Sequence, residues 1–132
     1  MGNVGYLLDT CAFLWSVQRD VKLGGNARAL IEDVKTPLFL SAVSAYEIMY
    51  KHRIGKLPEY EDIANDYFSF VQRLNVAELP INTRHTHLAG KANWEHRDPF
   101  DRLLAAQASI ENLTLITNDP AFETIRCIKT LW

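Results

Sequence analysis

Cysteine is scarce in this sequence: Cys11 and Cys127 stand alone, at opposite ends of the chain. That spacing excludes a cysteine metal site and a disulfide-stapled scaffold, and leaves two reduced, structural thiols as the expectation. No apolar run approaches the length of a bilayer span, so no membrane partner is expected. The opening MGNVGYLLDT lacks the basic stretch and long apolar stretch of a secretory signal, which makes a cytoplasmic protein the expectation. Positive charge is not in excess either. The net charge is −2 and the pI about 6.1, so any contact with nucleic acid needs a local basic patch. Repeats, low-complexity tracts and linkers are missing, and residues 1–132 are read as a single domain. What remains is an ordinary globular composition, 48% hydrophobic and 23% charged, enough for a core.

Short apolar runs alternate with helical patterns. VGYLLD reads as a buried strand, and Asp9-Thr10 opens a short helix through CAFLWSV. In GGNARALIEDV, Ala27, Leu30, Ile31 and Val34 fall at helical spacing, and PLFLS is a second strand. AVSAYEIMYKHRIG predicts a helix stopped by Gly55. Ile63, Tyr67, Phe70, Val71 and Leu74 form one apolar stripe and predict one helix. VAELP is a third strand, TRHTHLAGKA a short helix, DPFDRLLAAQASIEN a helix and LTLIT a strand. NDPAF then turns into a last strand, IRCIKTL. This alternation predicts an α/β fold, a three-layer α/β/α sandwich around a mostly parallel sheet. Sites in such folds lie beyond the carboxyl ends of the strands.

Four acids sit where that rule directs attention. Asp9 and Asp119 each follow a buried strand, and each also suits a helix cap or turn. Glu47 has two readings. Ser44 and Glu47 have capping-box spacing, but a helix starting at Ser41 puts Glu47 in the second turn beside Val43, Tyr50 and Ile54. A carboxylate on that largely apolar face needs a partner, and a metal ion would be one. In DPFD, Asp98 suits an N-cap ahead of Pro99. Asp101 falls on the side of Leu104, Ala105 and Ala108, towards the core. Each acid alone has a structural explanation. Together, in a parallel sheet, they converge, and clustered carboxylates repel unless a hard cation joins them.

YLLDTCAFLW, SAVSAYEIMYKHRIGKL, HRDPFDRLLAAQA and LTLITND, in this order, resemble the PIN-domain family over nearly the whole chain, and more narrowly the VapC-type toxins of bacteria and archaea. The resemblance implies a single PIN-like nuclease domain over 1–132, an α/β/α sandwich. It implies an endoribonuclease that acts as the toxin of a toxin–antitoxin pair and hydrolyses RNA by metal-activated water. Asp9, Glu47, Asp101 and Asp119 match the acids that are catalytic and hold Mg²⁺ or Mn²⁺. Thr10 and Thr117 match hydroxyl positions beside the site, with Asp98 just outside it. The implied partners are RNA, a cognate antitoxin covering the acidic groove, and a second copy in a homodimer.

Lys51, Arg53, Lys56 and Arg102 are the candidate RNA-backbone contacts, extended by Arg84, Lys91 and Arg97. The alternative for the KHRIGK group is a solvated helix end whose bases suit the dipole. Arg102 could equally hold a carboxylate. His52, His85, His87 and His96 offer no obvious base and are read as surface or substrate contacts. Trp15, Trp94 and Trp132 could stack on bases, or pack in the core or a dimer interface. The competing functions are a PIN-type RNA-processing nuclease without an antitoxin, and a non-catalytic α/β binding module. An aspartate-nucleophile phosphatase needs a second Asp two residues after Asp9, where the chain has Cys11.

Overall fold

A computed structural model describes residues 5–132. Val4, the first residue of the predicted opening strand, lies outside the described residues with the rest of MGNV. Five strands, β1 (Tyr6–Leu8), β2 (Leu38–Ser41), β3 (Val76–Leu79), β4 (Thr114–Ile116) and β5 (Lys129–Leu131), form one sheet in the order β3-β2-β1-β4-β5. Every pairing is parallel. The helices are α1 (Thr10–Gln18), α2 (Gly25–Glu32), α3 (Ala42–Arg53), α4 (Glu61–Asn65), α5 (Tyr67–Gln72), α6 (Thr83–Lys91) and α7 (Pro99–Ile110).

Strand geometry sends neighbouring side chains to opposite faces, and β1 shows the result. Leu8 joins a core with Phe13, Ala27, Ile48, Ile63 and Ile116. Leu7 joins a second core with Leu104, Ala105, Leu115 and Phe122. The sheet is therefore covered on both sides, which explains why β1, β2 and β4 read as apolar runs without alternation. Gly55, at φ 83°, ends α3 as expected: its N–H reaches the His52 carbonyl and the Lys56 N–H the Lys51 carbonyl.

Three predicted elements differ. The helix through GGNARALIEDV ends at Glu32, so Val34 lies beyond it and is exposed. The single helix expected through Ile63 to Leu74 is broken at Asp66, whose φ −143°, ψ 49° is not helical, so α4 and α5 are separate. Asp and Asn compete with helix through turn conformations, and Asn65-Asp66 bends the chain here. The apolar stripe survives, because all five residues still pack on the core containing Leu8. The last strand is shorter than IRCIKTL. Ile125 is instead buried in the core against α7, and pairing begins at Lys129.

The chain lays down β1, β2 and β3 in one direction, then places β4 and β5 on the other side of β1. The loops after β1 and β4 thus diverge at neighbouring carboxyl ends, leaving a crevice. A hydrogen bond of 3.1 Å from the Asp9 N–H to the Ile116 carbonyl fixes these two ends together.

Candidate functional site

The crevice is a cleft of about 410 Å³ lined by Asp9, Glu47, Asp101 and Asp119, with Lys51 and Asp98 at its wall. A larger cavity of about 590 Å³ lies near the far end of α1, but Glu32 is the sole carboxylate residue lining it. The clustered chemistry, and not the size of the hollow, marks the site.

Asp9 is both cap and cleft residue. It caps α1, its Oδ1 accepting from the Ala12 N–H at 2.7 Å, and is 6% exposed. Burial pushes its carboxyl up to about 7; bonds from the Thr117 hydroxyl and Ala12 oppose that, and the nearby charges of Asp101 and Glu47 add to it. Thr117 Oγ1 also accepts from the Asp119 N–H at 3.1 Å. Asp119 caps the short 3₁₀ turn at Pro120–Thr124, accepting from Ala121 at 2.9 Å.

Of the two readings of Glu47, the second holds. Ser41 is the N-cap of α3, with its hydroxyl accepting from Val43, and Glu47 lies in the second turn, buried. Ser44 is 3.1 Å from the Thr10 hydroxyl, and that hydroxyl donates to Glu47 Oε1 at 2.6 Å. Glu47 Oε2 pairs with Lys51, one helical turn on. Burial works against the Lys51 charge, but the bond and field of Glu47 outweigh it and hold the ammonium above its ordinary pKa.

Asp98 caps α7 through one oxygen, accepting from Phe100 at 2.8 Å and Asp101 at 3.2 Å. Asp101 is half-buried, with Oδ2 2.7 Å from His96 Nε2. Burial pushes Asp101 up to about 6, opposed by the His96 bond and reinforced by Asp98 and Glu47. Cys11 reaches solvent at the cleft, yet desolvation of its thiol and the carboxylates of Asp9 and Glu47 push it up to about 11. It is therefore no thiolate nucleophile at neutral pH.

A cation fits this donor set. Several oxygen ligands face one cleft, and two are held above the usual carboxylate range by burial, with the charges of neighbouring acids adding to it. His96, Asp101 and Asp119 bring ligand atoms within 4.8 Å of one another. Asp9 and Glu47 line the same cleft without belonging to that close trio.

His96 corrects the expectation that all four histidines are surface or substrate contacts. Its signal was present: it lies five residues before Asp101, in the connector that leads into the cap of α7. His85 corrects it differently. It is buried, accepts from the Asn82 N–H at Nδ1, and so carries its proton at Nε2, 2.8 Å from Glu111. Among the basic candidates, Lys51 reaches the cleft, while Arg53 at the end of α3 and Lys56 in the turn beyond it are exposed. Arg102 was expected on the RNA backbone or a carboxylate. Instead its guanidinium donates to four carbonyls, those of Ala89, Ala92, Trp94 and His96, at 2.6–3.0 Å. It clamps the α6–α7 connector and so places His96. The tryptophans serve packing. Trp15 and Trp132 meet edge to face at 5.6 Å, and Trp94 packs under Arg102. Gly24 is required by this arrangement, since a Cβ there would stand 2.5 Å from the Trp132 ring.

The sequence model of the PIN domain matches residues 6–126. The chain belongs to the PIN-domain family. A 61-residue stretch of this PIN domain is 37% identical to Ribonuclease VapC16 of Mycobacterium tuberculosis, and covers 46% of this chain and 43% of that protein. Similar folds occur in VapBC2 from Rickettsia felis bound to a DNA fragment from their promoter and in DNA-bound VapBC from Salmonella typhimurium. The first has a TM-score of 0.68 at 21% identity over 96% of both chains. The second has 0.70 at 21% identity over 97% of both. FitAcB from Neisseria gonorrhoeae follows at 0.62 and 18%, over 96% of both.

Proposed function

We propose that this PIN domain is a divalent-metal-dependent endoribonuclease and the toxin of a toxin–antitoxin pair, acting in the cytoplasm as one nuclease unit. The observation that carries the reading is the convergence of Asp9, Glu47, Asp101 and Asp119 in one cleft at the switch point of the sheet. These four, with His96 as a neighbour, are the residues that would hold Mg²⁺ or Mn²⁺. Such a cation supplies Lewis-acid stabilisation of charge on a phosphate and lowers the pKa of water.

The chain's own residues prepare that cleft. Thr10 and Lys51 hold the two oxygens of Glu47, and His96 holds one oxygen of Asp101. Thr117 bonds Asp9 and the Asp119 backbone, tying the two strand-end acids together. Asp98 and Arg102 position the start of α7 and its preceding connector. Lys51 is the cation on the cleft wall where an RNA phosphate would arrive; Arg53 and Lys56 extend positive charge away from it. An antitoxin that presents a guanidinium to the acids would neutralise the same charge and silence the site. A homodimer belongs to the same reading. Its support is the resemblance to VapC-type toxins, while the antitoxin is supported by the VapBC complexes named above.

The test is cleavage of a mixed RNA pool by the purified chain with Mg²⁺, Mn²⁺ or EDTA, beside Asp9→Asn and Asp101→Asn. Cutting that needs the metal, and that both folded variants lose by at least ~100-fold, is expected. Failure to cut together with failure to bind Mn²⁺ in calorimetry would sink the proposal.

A further inference from the structure

We propose that Lys51 is a displaceable counter-ion: it holds Glu47 while the cleft lacks a divalent cation, and turns to an RNA phosphate once a cation takes Glu47, so that metal and RNA bind cooperatively. This rests on the nuclease reading and names how that site couples its two ligands.

Both oxygens of Glu47 are engaged by the protein's own groups. The Thr10 hydroxyl donates to Oε1 at 2.6 Å, and the Lys51 ammonium donates to Oε2. An ion that takes Glu47 as a ligand therefore has to displace one of these donors. The two are unlike. Thr10 is 7% exposed, in the first turn of α1, and its hydroxyl is 3.1 Å from that of the buried Ser44. Its short side chain is held on both sides. The Lys51 side chain is 29% exposed, lines the open cleft, and reaches Glu47 from one turn further along α3. Its charge sits on a flexible four-carbon stem, so it is the donor that yields. Replacing one cation by another also keeps the buried carboxylate of Glu47 compensated throughout.

The surroundings of the ammonium decide where it turns. Glu47, Asp98 and Asp101 are the acids whose charges act on it. A divalent ion shared by Glu47 and Asp101 cancels their pull on Lys51 and repels it. Asp98 is already committed through Oδ1 to the cap of α7. A phosphate arriving at the same cleft brings the negative charge that the released ammonium then lacks. Arg102 cannot play this part, since its guanidinium is fixed to four backbone carbonyls. Without the ion, Lys51 is occupied by Glu47 and contributes nothing to RNA binding. By linkage, RNA tightens the ion as much as the ion tightens RNA.

The experiment is a pair of titrations on wild type, Lys51→Met and Lys51→Gln; the last keeps an amide donor for Glu47 without the charge. In calorimetry without RNA, both variants are expected to bind Mn²⁺ about 3- to 10-fold more tightly than wild type, because no cation has to leave. A lysine that only props Glu47 in place predicts weaker binding by Lys51→Met. Equal or weaker Mn²⁺ binding by both variants overturns the proposal. Stopped-flow anisotropy with a short labelled single-stranded RNA reads association before strands are cut. In EDTA the three proteins should bind it within about twofold of one another. With saturating Mn²⁺, wild type should bind about 3- to 10-fold more tightly than either variant, with a salt slope steeper by about one. Variants already weakened to that extent in EDTA, or no advantage of wild type with Mn²⁺, overturn the exchange. Cleavage is scored separately. Metal-linked RNA binding without cleavage defeats the nuclease reading alone. Cleavage by wild type, with variants that match it in both titrations, defeats the exchange alone, and wild type that binds no Mn²⁺ defeats both.

Discussion

Burial holds the Asp9 carboxyl at about 7 and Asp101 at about 6, and this inverts the usual contribution of a carboxylate to stability. A carboxyl raised above its unfolded pKa of ~4 stabilises the fold below that value and loses the benefit as pH rises through 6–7. In chelator, wild type should therefore fall behind Asp9→Asn as pH climbs from 4 to 8, by on the order of 2–4 kcal/mol at the top. The amide oxygen can still cap α1, so the comparison isolates the charge. Urea unfolding of both proteins at pH 4, 6 and 8 would show it; parallel curves would mean that Asp9 ionises without cost. Arg102 makes a second residue-scale case. A lysine has no planar fork, so Arg102→Lys should lose about 2–4 kcal/mol in the same assay and weaken Mn²⁺ binding through His96. The acids were legible in the sequence because a strand followed by Asp, or Asp101 in register with Leu104 and Ala108, marks a position and a face. The roles of His96 and Arg102 were not, beyond the nearness of His96 to Asp101 along the chain. Their roles depend on the path of the 92–98 connector, which no periodicity encodes.

At the scale of elements, caps and stripes carried most of the information. Asp98-Pro99 starts α7, Gly55 ends α3, and the apolar runs of β1, β2 and β4 lie in a sheet covered on both faces. What periodicity could not reveal was the break at Asp66, because the five apolar residues pack on one core with or without a bend. Ser44 and Ser41 show a related ambiguity. Both suit a cap, and the choice follows from where β2 ends. The Asp98 cap gives a measurable expectation. Asp98→Ala should cost about 1 kcal/mol of stability by thermal unfolding, and should reduce cleavage less than Asp101→Asn does. Equal losses of cleavage would place Asp98 among the acids that act on the substrate.

For the whole molecule, the sheet separates two cores, and neighbouring residues of one strand answer to different ones. Leu7→Ala and Leu8→Ala should each destabilise by about 2–5 kcal/mol in equilibrium unfolding. A sheet wet on one face would make one of the pair nearly free. The overall architecture was readable because parallel strands need helical crossovers, and the sequence alternates accordingly. The order of strands was not readable, since β4 could have joined either edge by pattern alone. That order is what puts Asp9 beside Asp119.

The scaffold engages at least one oxygen of each of these acids: Oδ1 of Asp9, Asp98 and Asp119, Oδ2 of Asp101, and both oxygens of Glu47. Each carboxylate is thus restricted to at most one free oxygen, and two-oxygen chelation is discouraged throughout. Ca²⁺ favours six to eight oxygens with bidentate carboxylates, whereas a smaller ion completes an octahedron with single oxygens and water. The cleft should therefore discriminate by denticity. At equal concentrations Mg²⁺ and Mn²⁺ should raise the melting temperature well above the effect of Ca²⁺, and an equal shift with Ca²⁺ would show that the capping bonds yield to the ion.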